Sequence, residues 1–193
     1  MRNDRPAIAV CASGGGTTFQ AILEAIGDGI LPCRINTLVV DRPGTGAEQR
    51  ARDAGITVHH VPRGSDLSVK MNAAVPEETS LVVLAGFLSI VGEPVLSRFR
   101  RRMINLHPSL LPAYGGPGMY GLAVHRAVIA AGDTQSGCTV HYVDAGTDTG
   151  EIILHRRVPV LPGDTPEQLQ ARIRPVERTA LVEAILTLIP DLR

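Results

Sequence analysis

Along the chain, short continuous apolar runs alternate with stretches in which apolar residues recur at three- and four-residue intervals. The first run, PAIAVCASGGG, is apolar at almost every position before its glycines, the pattern of a strand covered on both faces. In TTFQAILEAIGDG, Phe19, Ile22, Leu23 and Ile26 mark one helical face, with Gly27 and Gly29 as stop signals. INTLVVD predicts a second strand, AEQRARDAG a helix ended by Gly55, ITVHHV a third strand and LVVLAG the most deeply buried one. EPVLSRFRRR predicts a short helix, and MINLHP a strand stopped by Pro108. Residues 109–121 hold Pro112, Pro117 and glycines at 115, 116, 118 and 121, which reads as a loop over a site. LAVHRAVIAAG predicts a helix, and GCTVHYVD and EIILHRRVPV two strands. The last pattern, TPEQLQARIRPVERTALVEAILTLI, is a long helix that Pro175 is expected to kink or divide. Residues 62–78 carry no clear period.

This alternation predicts an α/β fold: a mostly parallel sheet with helices on both faces. The short loop at 145–150 joins the last two strands, which favours an antiparallel strand near the C-terminal side. No period repeats and no linker divides the chain. The expectation is one domain over residues 1–193, with an N-terminal lobe of about 1–102 and a C-terminal lobe of about 103–193.

Charge and composition then exclude several classes of function. Lys+Arg 19 balance Asp+Glu 19, so no broad positive field exists to grip a nucleic-acid backbone. Three Phe, three Tyr and no Trp offer few stacking platforms for single strands. The longest apolar stretch, residues 81–91, falls far short of the ~20 residues a membrane span needs. The lead MRNDRP lacks the apolar segment of a secretion signal. Cys11, Cys33 and Cys138 sit in apolar runs without metal-type spacing, and an odd number cannot all pair. Reduced core thiols in a cytoplasmic protein are the expectation.

Three segments can carry chemistry. The turn Ser13-Gly14-Gly15-Gly16-Thr17-Thr18 lies between a strand and a helix, where backbone N–H groups and the helix dipole receive phosphate. The bland alternative is a tight turn with a threonine N-cap. In Asn105-Leu106-His107-Pro108, strand period two projects Asn105 and His107 to one face at the carboxyl edge of the sheet. An amide donor for a developing oxyanion thus stands beside an imidazole that moves a proton near neutral pH, the alternative being two satisfied polar residues at a strand end. In DAGTDTG, Asp144 or Asp148 orients His107 and favours its protonated form, or caps a turn; spacing does not choose between them. His125 and His141 can line a site, whereas His59, His60 and His155 read as structural or exposed. The run Arg98, Arg100, Arg101, Arg102 reads as a solvated face or an attraction for an acidic tail.

Together SGGGTTFQAI, VVLAGFLSIV, INLHPSLLP and GCTVHYVDAGTDTGEII followed by VPVLPGDT resemble the folate-dependent formyltransferase family over nearly the whole chain, least in residues 62–78. The length and the first glycine turn resemble its branch that formylates glycinamide ribonucleotide in purine synthesis. The resemblance implies a Rossmann-like fold with 10-formyltetrahydrofolate as cosubstrate and no metal, acting on small molecules as a monomer or homodimer. It matches Asn105 and His107 to the catalytic pair and Asp148, rather than Asp144, to the acid that sets the histidine's protonation. Gly16, Thr17 and Thr18 fall where the substrate phosphate is held, Glu177 where the ribonucleotide is contacted, and Leu88, Ser89, Ile90 and Val91, with Asn105, where folate is held. Thr17-Thr18 departs from a common Ser-Asn, and Ser89 stands where Arg or Lys is frequent, leaving Arg63 and Lys70 as candidates for the basic folate-side residue. The loop at 115–120 is longer than in the shortest relatives and is a candidate lid.

The implied reaction needs no enzyme nucleophile. The amine attacks the formyl carbon, protonated His107 and Asn105 stabilise the negative oxygen, and Asp148 helps a water carry the proton from amine to leaving nitrogen. A formyltetrahydrofolate hydrolase or a sugar-amine formyltransferase uses the same three residues, and a non-catalytic folate- or nucleotide-binding module is the rival of a different class. The lead of seven or so residues and the lack of an added C-terminal domain favour the ribonucleotide branch over the hydrolase and over the enzyme acting on initiator tRNA.

Overall fold

Every apolar run forms a strand of one seven-stranded sheet in the computed structural model, which describes residues 5–192. Residues 1–4, most of the lead MRNDRP, and residue 193 lie outside the described residues. The strand order is β3-β2-β1-β4-β5-β6-β7. Strands β1 (Ala7–Ala12), β2 (Arg34–Val40), β3 (Val58–His60), β4 (Thr79–Leu84) and β5 (Met103–His107) are parallel. Strand β6 (Gln135–Tyr142) runs antiparallel to β5, and β7 (Ile152–Pro159) antiparallel to β6. The expected antiparallel hairpin is present, and its first strand also joins β5 antiparallel.

The central strands are buried on both faces, as their unbroken apolar runs require. On β1 and β4, Ile8, Val10, Leu81 and Val83 face one core with residues of α1 (Thr17–Gly27), α2 (Gly46–Asp53), α5 (Leu122–Ala130) and α6 (Pro166–Leu188). Ala9, Cys11, Val82 and Leu84 face a second core with α3 (Leu67–Ala74) and α4 (Val95–Arg98). Residues 62–78 thus contain a helix. Its signal is faint because only Leu67 and Met71 on it are buried and no side chain caps it.

Pro175 does not divide α6, which is helical from Pro166 to Leu188. Pro175 and Ala171, whose carbonyl loses its intrahelical partner, are both exposed, so water can satisfy that carbonyl. Leu169, Ile173, Leu181 and Ile185 bury the other face, and Thr165 with Gln168 closes a capping box at the start. The arginine run also has structural work: Arg98 donates to the carbonyls of Asn72, Val75 and Pro76 at the end of α3. Among the described residues no helix is long and apolar enough to cross a membrane.

From β1 the chain steps outward through β2 and β3, then returns to β4 on the other side of β1. The segments leaving β1 and β4 diverge there and open a crevice at the carboxyl edge. The glycine turn after β1 is shaped by a close approach. Gly16 has φ 70°, and a Cβ on it would lie 2.6 Å from Cα of Ala47 at the start of α2. Gly14 has no atom within 4 Å of the same position. Gly16→Ala is therefore expected to lose about 2–3 kcal/mol of stability, from the left-handed backbone and the clash. By thermal unfolding Tm should drop by roughly 6–9 °C. Gly14→Ala should stay within about 0.5 kcal/mol of the parent.

Candidate active site

Ile104 and Leu106 of β5 join the first core, so Asn105 and His107 point to the other face and stand at the carboxyl edge, where Pro108 ends the strand. Both line a cleft of about 520 Å³, within the range typical of ligand sites. The cleft is walled by the segment after β4, the loop at 116–121, the loop at 146–148 and one side of α6.

Because β6 runs antiparallel, its register sets His141 opposite Asn105, and the loop after it doubles back over the same face. Two glycines make this possible: a Cβ on Gly150 would lie 1.8 Å from the Tyr142 carbonyl oxygen, and one on Gly146 would strike Thr149. Asp148 itself has φ 59°. The two acids of the loop take separate roles. Asp144 accepts from the Gly146 amide (3.0 Å) and the Thr149 hydroxyl (2.7 Å), an Asx cap. Asp148 turns inward, with Oδ2 3.4 Å from His107 Nδ1 and Oδ1 3.6 Å from His141 Nε2. It accepts from the Gly116 amide (3.0 Å) and from Asn105 Nδ2 (3.4 Å).

Hydrogen-bond chemistry assigns the tautomers. A carbonyl only accepts, so His107 Nε2 carries the proton it donates to the Tyr114 carbonyl at 2.8 Å, and Nδ1 faces Asp148. By the same rule His141 Nδ1 donates to the Tyr142 carbonyl (2.8 Å), and its Nε2 accepts from Asn105 Nδ2 (3.1 Å). Burial lowers the pKa of His107 by more than the Asp148 charge and the Tyr114 carbonyl raise it. Burial thus works against the protonated ring expected from sequence, while the Asp148 charge and the Tyr114 carbonyl work for it. Burial alone would push the Asp148 carboxyl up; the His141 and His107 imidazoles and the Gly116 amide outweigh it and hold Asp148 below the usual carboxylate range. The carboxylate and Nδ1 of His107 thus offer lone pairs toward one shared proton.

The remaining sequence candidates divide. Thr18, Leu88, Ser89, Ile90, Val91 and Glu177 line the same cleft, while Gly16 and Thr17 do not. The N-cap of α1 is Gly16 without a side-chain cap, not a threonine, so the N–H groups of the first turn are left without side-chain partners. Burial raises the Glu177 carboxyl despite Arg174 and Arg178 nearby. Ser89 donates to Asp41 Oδ2 (2.7 Å), and Arg63 Nε donates to the same oxygen (2.8 Å). A cation from another segment is thereby brought beside Ser89, with half of its side chain exposed. Lys70 instead pairs with Asp66 on its own helix. His125 and His141 both line the cleft; His59, His60 and His155 do not. The register of β6 brings His141 in, as the sequence allowed, whereas Gln170 and Arg174 carry no signal along the chain and enter only through the packing of α6.

The histidine is the group to titrate. In NMR titrations His107 is expected to change charge below the ordinary 6.5, and lower still in Asp148→Asn, which removes the charge that raises it. Both groups titrate lower folded than unfolded, so their stabilising effect is complete above the unfolded values and is lost as pH falls through the folded ones.

Residues 7–185 match the formyl transferase family. The chain is 43% identical over 188 residues to phosphoribosylglycinamide formyltransferase of Mycobacterium tuberculosis, covering 94% of this chain and 84% of that one. It is 41% identical over 187 residues to the chloroplastic phosphoribosylglycinamide formyltransferase of Vigna unguiculata, covering 94% of this chain but only 60% of the plant protein's length. Among solved structures, glycinamide ribonucleotide transformylase 1 from Symbiobacterium toebii superposes with a TM-score of 0.89 at 36% identity, over 99% of this chain and 90% of that one. With the family matched over residues 7–185, from β1 into α6, the chain belongs to the formyl transferase family.

Proposed function

We propose that this chain transfers a formyl group from a 10-formyl folate to the amine of glycinamide ribonucleotide, a step of purine synthesis. The observation that carries the reading is the convergence of Asn105, His107 and Asp148 in one cleft that Thr18, Glu177 and residues 88–91 also line. Relatives named for this reaction support it.

The cleft suits a planar heteroaromatic ring on one side. Of the large apolar side chains left exposed, Leu88, Ile90 (72% exposed) and Tyr120 all border it, and exposed apolar groups gathered at one concave place mark a ligand surface. Arg63, fixed by Asp41 beside Ser89, supplies a cation at that side in place of the basic residue Ser89 lacks. At the other side, the free N–H groups at the start of α1 and the Thr18 hydroxyl suit a phosphate, and Glu177 suits the sugar or glycinamide portion. The folate supplies the formyl carbon. The amine forms the new N–C bond, the old C–N bond breaks, and one proton passes from amine to leaving nitrogen. Asn105 donates to the oxygen as it becomes negative: its contact to Asp148, at 3.4 Å, is long enough for a closer oxyanion to take that proton. Neutral His107, with Asp148 behind Nδ1, receives the amine proton and returns it. The two halves of the chain act as one domain, with the phosphate side before about residue 103 and the catalytic side after it. The three buried free thiols suit the reducing interior of a cell.

The assay is release of tetrahydrofolate from 10-formyltetrahydrofolate with and without glycinamide ribonucleotide. Release only with the amine supports transfer; release without it makes the chain a hydrolase, and none makes it a binding module. In the active protein, His107→Ala should lower kcat by roughly 100- to 10,000-fold with KM changed little. Unaltered turnover removes His107 from the mechanism.

A further inference from the structure

The proton path just described leaves one buried titratable side chain in the cleft unused. His125 projects from α5, is 1% exposed, and lines the cleft wall that Gln170, Arg174 and Glu177 of α6 also form. Its Nδ1 is sealed from solvent and has no hydrogen-bond partner. Folded proteins seldom keep such an atom without a reason. Of the two neutral tautomers, the one with a bare lone pair at Nδ1 is less costly, because a buried unpaired N–H is rarer than an under-used acceptor. That tautomer puts the proton on Nε2. Burial, together with the charges of Arg174 and His107, pushes the ring down to about 4, so it stays neutral at pH 7. A neutral N–H donor on the same wall as the Glu177 carboxyl suits a hydroxyl group, which accepts from one and donates to the other.

We propose that His125 is a binding residue for the ribosyl part of the amine substrate, its Nε2–H donating to a sugar oxygen. This rests on the transfer reading above and extends it: the fold tolerates the unpaired Nδ1 because the ring serves the ligand, not the core. A ring kept for packing would have its polar atoms satisfied or replaced by carbon. A ring kept for a ligand is a burden on the ligand-free protein, and this difference can be measured.

The test uses the full chain with His125→Leu and His125→Gln. Thermal unfolding without ligand, calorimetric titration with glycinamide ribonucleotide, and steady-state kinetics are read in parallel. His125→Leu is expected to bind the ribonucleotide about tenfold more weakly, with a matching rise in its KM. The KM for the folate should stay within about twofold and kcat within about threefold. Its Tm should equal or exceed that of the parent, since the unpaired nitrogen is gone. His125→Gln, whose amide N–H can reach the same oxygen, should recover part of the affinity. Ribonucleotide affinity within about twofold of the parent in His125→Leu would overturn the proposal. So would a lower Tm or failure to fold, which assigns the ring to the core, or a rise in KM confined to the folate. Calorimetry needs no turnover: a parent protein that binds the ribonucleotide but transfers nothing ends the transfer reading and leaves the contact standing. A parent that does not bind it overturns both.

Discussion

A single partly buried carboxylate organises the carboxyl edge of this sheet. Asp148 lies at the meeting point of two strands and two loops, and withdrawing its charge from water is tolerable only because polar groups surround it. The Gly116 amide comes from the loop after β5, Asn105 and His107 from β5, and His141 from β6. Each of these groups is itself held by a second contact, such as His107 to the Tyr114 carbonyl and His141 to the Tyr142 carbonyl. The geometry is therefore overdetermined, as a site needs to be when orientation supplies much of its effect. The left-handed backbone at Asp148 is a local strain accepted to aim the carboxylate inward, and Gly150, having no Cβ, lets the chain pass close to the Tyr142 carbonyl.

Burial decides the character of the histidine beside it. A charged neighbour favours the imidazolium, and a low-dielectric surrounding favours the neutral ring; here the second effect is larger. One carboxylate and one imidazole are thus placed side by side.

Around that edge the same economy recurs with other residues. The carbonyls of the glycine turn are occupied by Arg42, Arg50 and the Ala47 amide, and the Ser13 amide donates to the Gly86 carbonyl. Asp41, wholly buried, gathers Ser89 and Arg63 on one oxygen, and these contacts hold it ionised against the opposing effect of burial. Arg63 is thereby fixed beside Ser89 with half of its side chain exposed.

Much of this was legible along the chain. The unbroken apolar runs of β1 and β4, the helical spacing of α1, and the stop at Pro108 are local consequences of burial and backbone sterics, so the sequence by itself determined the elements, the parallel sheet and the shared face of Asn105 and His107. Helix α3 leaves no signal along the chain because two buried residues make no period, and α6 runs through Pro175 because the strain it adds falls on a solvated face. What only the tertiary structure decided are relations between distant segments. The antiparallel register sets His141 against Asn105, the loop reversal selects Asp148 over Asp144, and the joining of α5 to α6 brings His125 to the cleft. Such pairings depend on which strand lies beside which and on how far each side chain is withdrawn from water, and neither quantity is encoded in spacing along one chain.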